Sequence, residues 1–121
     1  MPKPTKPKPI PRINLDRSIT RTLPPDIEGD GRPEMFFLGS VDNVSYQHIV
    51  KLFGLPTTNG DEDKTDAEWI IETPDGYGQV YNYKNGRTYE GPTGTKTIEI
   101  TDWCIRGENR RVMGWIELAL F

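Results

Sequence analysis

The chain has 121 residues, the size of a single domain, and its 27% charged against 34% hydrophobic residues favour a soluble protein with a modest core. No apolar run approaches the roughly 18 residues that cross a bilayer, so we expect neither a secretory signal nor a membrane partner. A single cysteine excludes an internal disulfide framework and Cys-rich zinc modules, which favours a cytoplasmic location.

The N-terminal segment is basic and rich in proline. Residues 1–22 have a net charge of +5, residues 23–121 have a net charge of −8, and eight of the eleven prolines precede residue 34. Proline fixes φ and removes a backbone donor, so we predict that residues 1–33 form an extended or disordered arm. A single α+β domain is predicted over residues 34–121. The arm is either a solubilising tail or a segment that orders on a partner.

Order is predicted to begin near residues 35–38, and a helix follows at residues 46–53. Ser45 or Asn43 would cap its start, and Gly54 would end it. Its apolar face consists of Tyr46, Ile49, Val50 and Phe53, which recur at helical spacing.

Turn signals next predict a three-stranded antiparallel meander. A turn at residues 74–76 would pair Ile71 with Gln79 and Trp69 with Tyr81. The Asn85–Gly86 dipeptide then predicts a second hairpin, which returns the chain through residues 87–89. The sheet face facing the core would carry Trp69, Ile71, Tyr77, Tyr81 and Tyr83.

The C-terminal part is predicted to add one further strand and a second helix. Ile98, Ile100, Trp103 and Ile105 indicate the strand, with a bulge near Asp102. Apolar residues at helical spacing after Asn109 favour a helix, although their alternation over residues 112–120 leaves a strand open. The fold class is therefore α+β: a small antiparallel sheet, the meander plus one further strand, packed by one or two helices.

The inventory of catalytic groups is poor, so we predict that the protein is not an enzyme and uses no cofactor. Cys104 and His48 are the only members of their types. We expect Cys104 to be a structural residue within a strand and His48 to lie on the outer helix face. A calcium loop starting at Asp61 fails because Asp66 occupies the position that requires glycine, so no metal site is predicted.

Two charged regions are candidate partner-binding sites. Residues 61–75 carry a net charge of −6, which suits either a solvated surface or contact with a basic partner. Residues 76–80 are similar to an RNA-recognition signature, but Asp75 and Gln79 replace its basic and aromatic positions, so RNA binding is not predicted there. The candidate partner-binding residues are Asp61, Glu62, Asp63 and Asp66 in the acidic segment, and Lys3, Lys6, Lys8 and Arg12 in the arm.

Four segments together resemble small, mostly uncharacterised proteins encoded by tailed bacteriophages of the siphovirus type. They are residues 53–56 (FGLP), 64–69 (KTDAEW), 80–84 (VYNYK) and 100–103 (ITDW). The resemblance covers roughly residues 44–118, carries over no catalytic residue, and implies a phage product that works in the host bacterial cytoplasm.

The sequence therefore predicts a non-enzymatic phage protein that binds and modulates or inhibits a host or defence protein. One alternative is a nucleic-acid-associated protein that makes weak phosphate contacts through the basic arm. Another is a small virion or assembly component, which would form a homo-oligomer.

Overall fold

The structure, a computed structural model, describes residues 8–24, 33–58 and 64–121. Within these ranges, six strands form one mixed sheet: β1 Ile10–Ile13, β2 Ile19–Thr22, β3 Phe36–Val41, β4 Glu68–Thr73, β5 Gly76–Tyr81 and β6 Trp103–Gly107. The helices are α1 Tyr46–Phe53, the single turn α2 Arg87–Glu90 and α3 Arg110–Leu120, with 3₁₀ turns at Gly91–Thr93 and Thr97–Glu99.

The sheet has the strand order β2-β1-β4-β5-β6-β3, and its pairs are antiparallel except for β1 with β4. The helices α1 and α3 cover one face, where the core lies. The α+β class is thus confirmed, but the predicted three-stranded meander with one further strand understates the sheet.

Both long helices match their predictions. In α1, the Ser45 hydroxyl accepts the backbone N–H of His48, and Gly54 follows at φ 87°. In α3, the Asn109 side chain accepts the backbone N–H of Arg111, which excludes the strand alternative for the C-terminal segment. Ile49 and Phe53 of α1 are fully buried, as the helical spacing predicts.

Two buried tryptophans hold α1 at both ends. The indole Nε1 of Trp103 donates to the carbonyl oxygen of Val44 at 2.7 Å, and that of Trp69 donates to Gly54 at 2.9 Å. The two rings meet edge to face with centroids 5.3 Å apart. Since an unpaired buried carbonyl is costly, these bonds fix the helix above the sheet.

The prediction of a loose arm is wrong for residues 10–22, which form the β1–β2 hairpin at one side of the sheet. Ile10 and Ile13 are buried, and the Arg21 guanidinium donates to the carbonyl oxygen of Phe53 at 2.6 Å. Pro11, which lacks a backbone donor, pairs with Arg21 within the hairpin, and the parallel pairing of β1 with β4 has a single registered pair, Arg12 with Glu72. Residues 1–7 and 25–32 of the predicted arm lie outside the described residues.

The register of the β4–β5 hairpin differs by one residue from the prediction. Trp69 pairs with Val80, and Ile71 pairs with Gly78, across a two-residue turn. A shift of one residue moves side chains to the opposite face. Tyr77 and Tyr81 therefore lie away from the helices, whereas Trp69 remains in the core.

The hairpin predicted at Asn85–Gly86 is absent from the described residues, because residues 87–90 form the helical turn α2. The Asp66 carboxylate accepts the backbone N–H and the hydroxyl of Thr88, at 3.0 and 2.8 Å, and so holds the start of this turn. The strand predicted from Ile98 to Ile105 is confirmed only from Trp103 onward, since residues 97–99 form a 3₁₀ turn.

Candidate interaction surface

Side chains of four strands line the sheet face opposite α1 and α3, which we call the helix-free face. Ile70 and Gln79 are buried there, and the other side chains are partly or fully exposed. The pairings of β4, β5, β6 and β3 align these side chains in rows across the strands. One row is Glu68, Tyr81, Cys104 and Ser40, and the next is Ile70, Gln79, Arg106 and Phe37.

Arg106 lies at the centre of this face. Its guanidinium carbon lies 5.0 Å from the centroid of the Tyr81 ring, and its Nε donates to the Oε1 of Gln79. Gln79 is only 4% exposed, so this bond satisfies a buried amide oxygen. Arg106 is thereby held in place while it remains partly exposed.

Phe37 extends the cluster toward the edge of the sheet. It pairs with Arg106, and 66% of its surface is exposed. Arg106 also lines a shallow depression with Pro33, Glu34 and Met35, which lead into β3. An exposed aromatic ring beside a positioned arginine is typical of residues that contribute strongly to protein–protein binding.

The charges of the helix-free face balance. Arg12 and Glu72 approach to 3.9 Å at its β1 side, and Arg106 is offset by Glu68 in the neighbouring row. Burial raises the pKa of Tyr81 and of Tyr77, so both phenols are neutral at physiological pH. The face is therefore mixed aromatic and polar, with no excess of positive charge.

Of the predicted partner-binding residues in the arm, Arg12 lies on this face and Lys8 is exposed just before β1. Lys3, Lys6, Asp61, Glu62 and Asp63 lie outside the described residues. Their role in binding stays a prediction.

Asp66 belongs to a structural network. Its Oδ2 accepts Nδ2 of Asn82 at 2.7 Å, and Asn82 Oδ1 in turn accepts the backbone N–H groups of Asp66 and Ala67. Asn82 is fully buried, and it also donates to Asn85 at 3.1 Å. This network joins the segment before β4 to the end of β5 and to α2, so Asp66 holds the fold around it.

Cys104 and His48 are far apart in the fold. Cys104 lies on the helix-free face opposite Tyr81, and burial raises the pKa of its thiol. His48 lies on α1, in the other layer, where its Nε2 is 2.8 Å from the carbonyl oxygen of Leu120. The structure therefore brings no imidazole to the thiol. Among the described residues, no group of three His, Cys, Asp or Glu side chains is placed to hold a metal ion.

The sequence reasoning missed Arg106 and Phe37 as candidate site residues. They were missed because the predicted register placed Tyr81 on the core face. The residues that face outward from β4 and β5 were therefore predicted incorrectly. Gly78 and Gly107 could have indicated the correct face, because paired glycines let a helix approach a sheet closely.

No family model, curated protein or solved structure matches this chain. In the part of the chain that the structure describes, no helix has the length and hydropathy needed to span a membrane.

Proposed function

We propose that this protein is a non-enzymatic interaction protein whose helix-free face binds another protein. The observation that supports the proposal is the cluster in which Arg106 stacks on Tyr81 beside the exposed ring of Phe37. Arginine and aromatic residues are enriched at the energetic centres of protein interfaces. In keeping with the phage resemblance, we propose a host or defence protein as the partner, in the bacterial cytoplasm.

The charge of the face favours a protein over a nucleic acid. Binding to phosphates depends on several lysines or arginines and is opposed by nearby carboxylates. Here Glu68 and Glu72 offset Arg106 and Arg12. Nucleic-acid binding through the basic N-terminal residues remains the competing proposal.

The experiment compares pull-downs by the wild type, Arg106→Ala and Arg111→Ala from bacterial lysate, each with and without nuclease treatment. Arg111 is the matched control, because its side chain is 82% exposed on α3. We expect one stoichiometric protein partner, and an affinity at least about tenfold lower for Arg106→Ala alone.

Two outcomes would contradict the proposal. Equal retention of the partner by both variants would remove the helix-free face from the interaction. A bound species that disappears on nuclease treatment would favour the nucleic-acid alternative instead.

A further inference from the structure

The two edge strands of the sheet differ in how they are protected. Edge strands expose unpaired backbone N–H and C=O groups, and charged side chains usually prevent these from pairing with other chains. β2, at one edge, carries Arg21 between two threonines. β3, at the other edge, has the sequence FFLGSV with no charged residue, and its Phe36 and Phe37 are 55% and 66% exposed.

We infer that β3 pairs antiparallel with β3 of a second copy of this chain, so that the sheet continues through a two-fold dimer. A strand that pairs antiparallel with itself forms an isologous contact, in which each copy satisfies the free backbone groups of the other. The neutral sequence of β3 allows this, since no like charges oppose each other within the strand.

The side chains at this edge favour a second copy as the occupant. Directly opposite residues of an antiparallel pair lie on the same face, so a register that places the two Phe37 residues opposite each other brings their rings together. Each copy thus covers the more exposed of the two β3 rings of the other, so self-association and the proposed partner compete for Phe37.

The contact area predicts a weak dimer. A phenyl side chain offers about 150–250 Å² for burial, so the exposed parts of four rings amount to roughly 500 Å². This is about half of the 1,000 Å² expected of a stable interface. The register shift of β3 against β6 between Phe37 and Gly39 also bends the strand, which limits the length of a regular ladder with a second copy. We therefore expect dissociation at about 10–100 μM.

The test is sedimentation equilibrium of the full chain from about 1 to 500 μM, a range that brackets the expected dissociation constant. We expect the apparent mass to rise from 13.8 kDa toward twice that value. Phe36→Lys should weaken association at least about tenfold, because it replaces an exposed ring of the contact with a charged side chain in both copies. Thr20→Lys, an exposed position on the opposite edge strand β2, is the matched control and should leave association unchanged.

Hydrogen exchange of the wild type provides a second measurement that does not depend on the variant folding. The backbone amides of β3 should become more protected at high concentration, and those of β2 should not. A monomer at all concentrations, or a dimer unaffected by Phe36→Lys, would overturn the inference. Phe36 lies on the helix side of the sheet, so this test is independent of the Arg106 test of the proposed function.

Discussion

Replacement of Trp69 tests whether the contacts that hold α1 above the sheet determine stability. The ring is fully buried, lies 5.3 Å from the Trp103 ring, and donates to the carbonyl oxygen of Gly54 at 2.9 Å. Trp69→Ala leaves a cavity and should lower the free energy of unfolding by about 3–5 kcal/mol. Trp69→Phe keeps an aromatic ring but leaves the carbonyl of Gly54 unpaired, and should cost about 2–3 kcal/mol.

Thermal unfolding followed by far-UV circular dichroism measures both effects. For a chain of this length, 1 kcal/mol corresponds to about 4 °C in Tm. We therefore expect Tm to fall by roughly 12–20 °C for Trp69→Ala and roughly 8–12 °C for Trp69→Phe. Tyr89→Ala, at a ring that is 50% exposed, is the control and should shift Tm by less than about 4 °C. A Tm for Trp69→Ala within about 2 °C of the wild type would refute the reasoning.

Two further predictions concern Asn82 and Cys104. Asn82→Ala removes the centre of the Asp66 network and leaves buried N–H groups unpaired, so urea titration should show a loss of about 2–4 kcal/mol. Cys104 should react slowly with a thiol reagent at pH 8, because burial raises its pKa and lowers the thiolate fraction, and its rate should increase as the pH rises. Cys104→Ser should retain partner binding; fast labelling of the wild type at neutral pH together with loss of partner binding in that variant would instead indicate a functional, reactive thiol.

The helices were predictable because their signals are local. The apolar face of α1, its Ser45 cap and the following Gly54 all lie within ten consecutive residues. For α3, the Asn109 cap favours a helix over a strand. Its side chain accepts a backbone N–H of the first helical turn, which in a strand would bond to a neighbouring strand. Gly114, the least helical residue of α3, is exposed and contacts nothing that a side chain would displace.

The register of the sheet depends on tertiary packing that no local pattern contains. A Cβ on Gly78 would lie 2.6 Å from Cγ1 of Val112, and one on Gly107 would lie 2.8 Å from the same atom. Only the observed register places both glycines beneath α3, where a larger residue would push the helix away. The turn residues 74–76 fit either register, so they could not reveal that the tyrosines face outward.

The β1–β2 hairpin was missed for a different reason. Composition describes the first 33 residues as basic and rich in proline, but Ile10, Ile13 and Ile19 supply the apolar contacts of a hairpin. Arg17 takes a positive φ of 71° in its turn, and the backbone N–H of Asn14 donates to the carbonyl of Ser18 at 2.9 Å. The segment has a high net charge and many prolines. Its average composition therefore gives no sign of these few apolar and turn contacts.

The proposed binding surface and the contacts that stabilise the fold lie on different parts of the molecule. The tryptophan contacts on the helix side and the Asn82 network at the sheet margin hold the fold together. Arg106 contacts Tyr81 and Gln79 on the helix-free face, outside the hydrophobic core. Its replacement by alanine leaves the buried amide oxygen of Gln79 unpaired and should cost about 1–3 kcal/mol of stability, less than the loss expected for Trp69→Ala. A loss of partner binding by a folded Arg106→Ala variant would then report the interaction itself.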